Sequence, residues 1–151
     1  MDIRQLDLTN ERLVLEALAI HCTCPLEWGG DLALDSNGVA ENLAKLDAHY
    51  PKTIFYLQDH NRIVGIYWLE VPVRRRGFIR SLWVDPAYRR AGIATRMKQL
   101  GDAWFAEHDV RSVETIIDVK NALMMEKYRE LGFVQKGDSF VKVFEADRVA
   151  V

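Results

Sequence analysis

A single α/β domain on a mixed sheet is the fold that these 151 residues predict, and three observations carry it. β-rich runs at 53–59, 62–71 and 78–84 follow one another through connections too short for a crossover, so they form an antiparallel meander. A helical period then fills 92–107 and another β-rich run follows at 112–119; this strand–helix–strand unit makes the sheet mixed. No repeat, low-complexity stretch or linker interrupts the chain, so one domain, 1–151, with a real core is expected.

The opening residues 2–8 alternate imperfectly and predict a short strand. Thr9 or Asn10 caps a helix through LVLEALAI, whose apolar residues on several faces predict burial. Between 22 and 38, Pro25, Trp28, Gly29, Gly30 and the acids Glu27, Asp31 and Asp35 show neither period and read as a loop. A second helix over 39–49 turns Leu43 and Leu46 inward, and Pro51 ends it. His60-Asn61 makes the first meander turn, and residues 72–77 make the second. The helix over 92–107 places Ile93, Met97, Leu100 and Trp104 inward, close to a 3.6 period. A last helix over 122–131 ends at Gly132 as its C-cap, and strands at 133–136 and 140–144, joined through Gly137-Asp138, close the fold.

Twenty Lys and Arg against twenty-two Asp and Glu leave a net charge of −2, so nothing global attracts nucleic acid or an anionic membrane. An anion site must be local. The first residues lack the basic-then-apolar order of a secretory signal, and no apolar run approaches the ~18 residues of a membrane span. Cys22 and Cys24 stand one residue apart, too close for an unstrained mutual disulfide and without the second ligand pair of a metal site. A reduced cytoplasmic setting without a metal is the expectation.

The segment VDPAYRRAGIATRMKQL, residues 84–100, is not a plain connection. It leaves a strand through Asp85-Pro86, sets Arg89 and Arg90 beside Gly92, and runs straight into a helix. The first turn of a helix has unpaired N–H groups and the positive end of the macrodipole. Gly92 admits a ligand close to the main chain, Ala94 keeps the next turn small, and the arginines add forked donors suited to phosphate oxygens. The combination is a diphosphate cradle; the plain alternative is a strand-to-helix turn with solvated arginines. Neither GxxxxGK(S/T) nor GxGxxG occurs, which excludes an ordinary P-loop and the dinucleotide fingerprint.

Two blocks in this order resemble the GNAT superfamily of acyl-CoA N-acyltransferases. The first, Val84-Asp85-Pro86-Ala87-Tyr88-Arg89-Arg90-Ala91-Gly92-Ile93-Ala94, resembles the family's V-x-P-x-Y-R-R run and its Q/R-x-x-G-x-G/A pyrophosphate loop. The second has Asn121 after a strand, Tyr128 seven residues on, and Gly132-Phe133 ending the helix. The likeness covers residues 78–144 well; the first fifty match only as a strand and two helices.

The resemblance implies a central, mostly antiparallel twisted sheet flanked by about four helices. It implies an N-acetyltransferase with acetyl-CoA as co-substrate and an amine of a small molecule or protein as acceptor. Backbone groups of Leu82, Trp83 and Val84 would pair with the pantetheine arm as an added strand does. N–H groups of Arg89, Arg90, Ala91, Gly92, Ile93, Ala94 and Thr95 would hold the pyrophosphate, and Asn121 would meet the pantetheine or position a water. An N–H near Trp83 would polarise the thioester carbonyl. Tyr128 would protonate the leaving thiolate, its alternative being a buried ring packed on Phe133.

Attack by a neutral amine also requires a base. Asp118, just before Asn121, ranks first, Glu70 is the other candidate, and Glu114 sits at the wrong end of its strand; a surface acid explains each equally well. The family's acceptor pocket lies at the first two helices and their loop, here with Glu27, Asp31 and Asp35 beside Trp28. That set suits a cationic amine, unless the acids are simply solvated. Two further readings stay open: another acyl-CoA or acceptor, and a non-catalytic CoA-binding or partner-binding module on the same fold. Family members are often dimers, and residues 140–144 could be an exposed edge strand that pairs in a homodimer, a point the sequence leaves open. No membrane or nucleic-acid partner is expected.

Overall fold

The computed structural model describes residues 2–30 and 36–144. Its elements begin with strand β1 (Arg4–Gln5) and helices α1 (Glu11–Thr23) and α2 (Ser36–Leu46). Strands β2 (Lys52–Asp59), β3 (Arg62–Val73) and β4 (Arg76–Val84) follow, then helix α3 (Ile93–Glu107). Strand β5 (Ser112–Ile116), helix α4 (Ala122–Glu130) and strands β6 (Val134–Lys136) and β7 (Ser139–Val143) complete the chain. Among the described residues, one sheet holds all seven strands in the order β1-β2-β3-β4-β5-β7-β6, and only β4 and β5 are parallel. The expected mixed, mostly antiparallel sheet with four flanking helices is therefore what forms. Among the described residues, no helix is long and apolar enough to cross a membrane.

Several boundaries differ from expectation for identifiable reasons. Asn10, not Thr9, caps α1: its side-chain oxygen accepts from the Leu13 N–H at 3.2 Å. The helix then runs through Cys22, which is buried, because Pro25 is the first residue that cannot continue it. Cys24–Trp28 form a 3-10 turn with Pro25 in its first turn, α2 takes up the end of the expected loop from Ser36, and residues 31–35, with Asp31 and Asp35, lie outside the described residues. In α2 the inward residue is Asn42, whose Nδ2 donates to Cys22 Sγ at 3.6 Å, so Leu43 is turned outward. Strand β3 outruns β2 beyond Glu70, so Pro72 removes no ladder bond there and the strand continues to Val73. Strand β5 stops at Ile116 because the Ile117 N–H turns to the Asp138 carbonyl at 3.0 Å. Leu100 is exposed, and the residue that faces the sheet is Gly101.

The proposed edge also moves. Strand β7 lies between β5 and β6 with Phe140 fully buried, so residues 140–144 are interior to the sheet; β1 and β6 are the edges. Both hydrogen-bonding edges of β7 are thus taken by its neighbours, so it is not the free edge that the sequence suggested.

Helices α3 and α4 share one face of the sheet over Tyr67, Leu69, Ile79, Met97, Phe105 and Phe140. Helix α1 covers the other with Leu18 on Ile54, Ile66 and Trp68, and Leu46 of α2 packs at its margin. The approach of α3 to the sheet is set by Gly101: a methyl group there would overlap the Tyr67 ring and come within 3.0 Å of Leu69 Cδ1. On the same helix, Lys98 turns in toward α4, its Nζ 4.8 Å from the Tyr128 ring centre and 5.0 Å from that of Phe133. Burial lowers its pKa to about 8, with Lys142 and Lys127 adding to the effect and Asp102 opposing it.

Two stability predictions follow from this packing. Gly101→Ala should destabilise the fold by ~1–3 kcal/mol in urea denaturation through overpacking against Tyr67; an unchanged midpoint would refute the close approach. Between its folded pKa of about 8 and its ordinary 10.5, Lys98 is protonated more in the unfolded chain than in the folded one. It therefore contributes a gain in stability as pH rises through that window. Lys98→Met should lack that gain relative to wild type, and identical pH profiles would contradict it.

Candidate active site

Strand β4 pairs with β5 only from Arg76↔Ser112 to Ile79↔Thr115. From Arg80 to Val84 it stays paired to β3 while β5 departs toward β7, so one edge of β4 opens. A bulge marks the parting: Leu69 opposes Ile79 and Trp68 opposes Ser81, leaving Arg80 as the extra residue that bends the strand. Which amides face the opening follows from the ladder. The Asp85 N–H donates to the Val64 carbonyl at 2.8 Å, so by alternation the Trp83 N–H also points to β3. Leu82 and Val84, on either side of Trp83, direct theirs to the open side.

The end of β4 leads into a braced loop. Asp85 caps the short 3-10 turn Pro86–Tyr88, its Oδ1 accepting from the Ala87 N–H at 2.9 Å, while its Oδ2 pairs with Arg62 Nη1 at 2.6 Å. The Tyr88 hydroxyl donates to Asp59, so the loop is tied to the β2–β3 turn. Arg90 at φ 69° and Gly92 at φ 77° are both left-handed, and they turn the chain into α3. The first bond of that helix runs from the Arg96 N–H to the Gly92 carbonyl at 3.0 Å. Among the described residues, the N–H groups of Gly92, Ile93, Ala94 and Thr95 have no partner, and nothing lies within 4 Å of where a Gly92 side chain would start. Donors, dipole and space meet here, as an anion requires. The Arg89 side chain is engaged in holding the loop, its Nε on the Val84 carbonyl at 2.8 Å and its Nη2 on Glu27. Arg90 is exposed without a side-chain partner among the described residues.

Tyr128 lies on α4 with its ring fully buried, edge-on to Phe133 at 4.9 Å and 89°. Burial pushes its phenol well above its usual range, so it remains protonated at neutral pH. Asn121 caps α4, its oxygen accepting from the Met124 N–H at 3.2 Å. Between α3 and α4 opens a cavity of about 160 Å3 that reaches Tyr67, Ile79, Lys98, Val113 and Lys142. The Tyr67 hydroxyl is buried in that region without a partner among the described residues.

The acids are placed less simply. Asp118 is exposed and accepts from the Lys120 N–H at 2.8 Å in the turn before α4. Glu114 accepts from the Ser139 hydroxyl at 2.9 Å, across the β5–β7 pair. Glu70 is fully buried on the α1 face, with Arg80 Nε on Oε1 and the Tyr50 hydroxyl on Oε2 at 3.0 Å. Glu27 accepts from Trp83 Nε1 at 2.7 Å as well as from Arg89, so it joins the α1 face to the loop before α3. Trp28 packs on Gly30, whose Cβ would strike the indole. Cys24 is not in a disulfide, and burial, with the nearby Glu27 charge, raises its thiol to about 12.

Sequence reasoning passed over Arg80 and Tyr50. The signal was present: an arginine inside FIRSLWV and a glutamate inside RIVGIYWLEV are opposite charges in neighbouring apolar strands, which cannot be buried except as a pair.

Compared with curated proteins by sequence, the chain has no match. Among solved structures it resembles a GNAT-family acetyltransferase from Staphylococcus aureus Mu50, at TM-score 0.75 and 14% identity over 95% of this chain and 99% of that one. An acetyltransferase from Thermus thermophilus matches at TM-score 0.70 and 15% identity, over 95% and 96% of the two chains. PaiA N-acetyltransferase from Thermoplasma acidophilum, solved in complex with coenzyme A, matches at TM-score 0.66 and 12% identity over 93% and 95%. At such identities these likenesses speak for the fold. The model of the acetyltransferase (GNAT) family matches residues 17–133, most of the chain and both blocks of the site, and the protein belongs to that family.

Proposed function

We propose that the protein transfers the acetyl group of acetyl-CoA directly to a primary amine of a small molecule or protein. The observation that carries this reading is the alignment of two features: the open edge of β4 ends at the unpaired first turn of α3. A thioester on a long amide-bearing arm with a diphosphate at its far end suits both at once, the arm as an added strand and the diphosphate at Gly92–Thr95. The Thermoplasma relative, solved with coenzyme A, supports the same cofactor here.

In the proposed reaction the amine nitrogen attacks the thioester carbon, whose oxygen accepts from a free β4 amide, Leu82 being the first beyond the bulge that faces the opening. The carbon–sulfur bond then breaks, the leaving thiolate takes the proton that burial keeps on the Tyr128 phenol, and the acylated nitrogen gives up its extra proton through water to the phenolate, which restores Tyr128. Glu70 is already satisfied by Arg80 and Tyr50, and Asp118 is exposed in its own turn. Neither needs to act as base if the acceptor loses its proton to water on the α1 side before attack. A second reading, a CoA-binding module without turnover, draws on the edge-on packing of Tyr128 against Phe133.

Gly92→Glu should abolish acetyl-CoA binding in calorimetric titration. Gly92→Ala carries the same left-handed strain, ~1–2 kcal/mol, without the charge and should retain binding. Retained affinity in the Glu variant would remove the diphosphate assignment. Thiol release against a panel of amines separates the two readings: Tyr128→Phe should lower kcat by ~100-fold or more with unchanged acetyl-CoA affinity. Asp118→Asn should stay within ~2-fold, because the amide keeps the turn bond. Equal turnover of wild type and Tyr128→Phe would return Tyr128 to a packing role.

A further inference from the structure

Arg80 occupies the first open position of the splay, as the bulge residue from which β4 and β5 part. Its guanidinium is held on three sides. Nε donates to Glu70, the Phe78 ring centre lies 5.0 Å away and the Trp68 ring centre 6.0 Å away. Glu70 is itself fully buried and its second oxygen is taken by Tyr50, so the anchor cannot swing. The arginine side chain is nevertheless a quarter exposed, and beyond Glu70 its only hydrogen-bonding neighbour among the described residues is the Tyr50 hydroxyl. A guanidinium fixed on its inner side and still partly open on its outer side is the geometry that meets a carboxylate.

The surroundings agree in sign. Burial, aided by the charges of Lys45 and Arg80, holds His21 neutral with its pKa near 4, so both cations bear on this part of the α1 face. His21 stacks edge-on to Trp68 at 5.2 Å. The described acids on that face are committed: Glu70 to Arg80 and Tyr50, Glu27 to Arg89 and Trp83. Beside Arg80 the described carboxylates are therefore already engaged, whereas Lys45 and Arg80 itself are cations.

We propose that the outer nitrogens of Arg80 bind a carboxylate of the acceptor, which makes the acceptor an amino-acid-like amine carrying its carboxylate a few bonds from the nitrogen. The assignment rests on the acetyl-transfer reading and deepens it. Arg80 is thereby a substrate-binding residue, and Glu70 and Tyr50 position it.

The test is thiol release from acetyl-CoA with matched acceptors: a series of α- and β-amino acids, their carboxamides and their decarboxylated amines. Rates are corrected for the fraction of neutral amine. Wild type should favour at least one acid over its carboxamide by ~10- to 100-fold in kcat/KM, the worth of a charge-assisted pair. Arg80→Lys keeps the charge beside Glu70 and loses the fork, so it should give up most of that preference through KM. The double variant Glu70→Gln, Arg80→Gln leaves no buried charge unpaired and should lose the preference entirely, with acetyl-CoA affinity unchanged. Carboxamides or plain amines used as well as the acids, no acid acylated at all, or a preference that survives in the double variant would each overturn the proposal. Calorimetry with acetyl-CoA separates the failures: binding without discrimination sinks only the acceptor assignment, whereas no binding sinks the acetyl-transfer reading as well.

Discussion

The parting of β4 from β5 after Ile79 is the constraint on which the rest of the site depends. A sheet that stayed closed would satisfy every amide of β4 and offer a ligand nothing. The bulge at Arg80 bends β4, β5 takes β7 as its continuing partner, and Ile117 turns its N–H to Asp138. Two backbone donors, at Leu82 and Val84, are left without strand partners as a result. A protein normally covers such an edge, because unpaired strand amides invite another strand. In the proposed function the same liability would serve as the recognition element for an extended amide chain.

The loop beyond β4 is rigid for a related reason. Asp85, Tyr88 and Arg89 are bonded to Arg62, Asp59 and Glu27, so the loop is braced from the β2–β3 turn and from the 3-10 turn after α1. Those braces leave the main chain of Gly92–Thr95 as the part with donors to spare. They also make Glu27 a link between the α1 face, where an acceptor would approach, and the loop that would hold the diphosphate. On the α1 face the charge pair Arg80–Glu70, with Tyr50 beside it, plays the corresponding role, fixing a side chain that remains a quarter exposed.

Much of this was legible in the residues. Short connections between β-rich runs could only give a meander, and the crossover through 92–107 could only add a parallel neighbour. The helix starts near Gly92 and after Asn121 were legible, but the left-handed turn at Gly92 and the capping role of Asn121 came only from the structure. Other features were hidden because tertiary partners decided them. Leu43 and Leu100 looked inward by period, but Asn42 had a sulfur to meet and Gly101 had a tyrosine ring to lie against. The strand at 140–144 looked like an edge because nothing local says that β6 folds back outside it. The bonds of Glu27 to Trp83 and Arg89 were not foreseen, since those partners are remote in sequence. Glu70 and Arg80 were each an anomaly alone and made sense only as a pair.

The most direct measurement of the central claim is amide hydrogen exchange along β4, residue by residue, with and without acetyl-CoA. The amides of Leu82 and Val84 should exchange quickly in the free protein and become protected on binding, while that of Trp83, already bonded toward β3, changes little. Saturating acetyl-CoA that leaves Leu82 and Val84 unprotected would mean that the open edge of β4 is not where the cofactor lies, and the account built on it would fall.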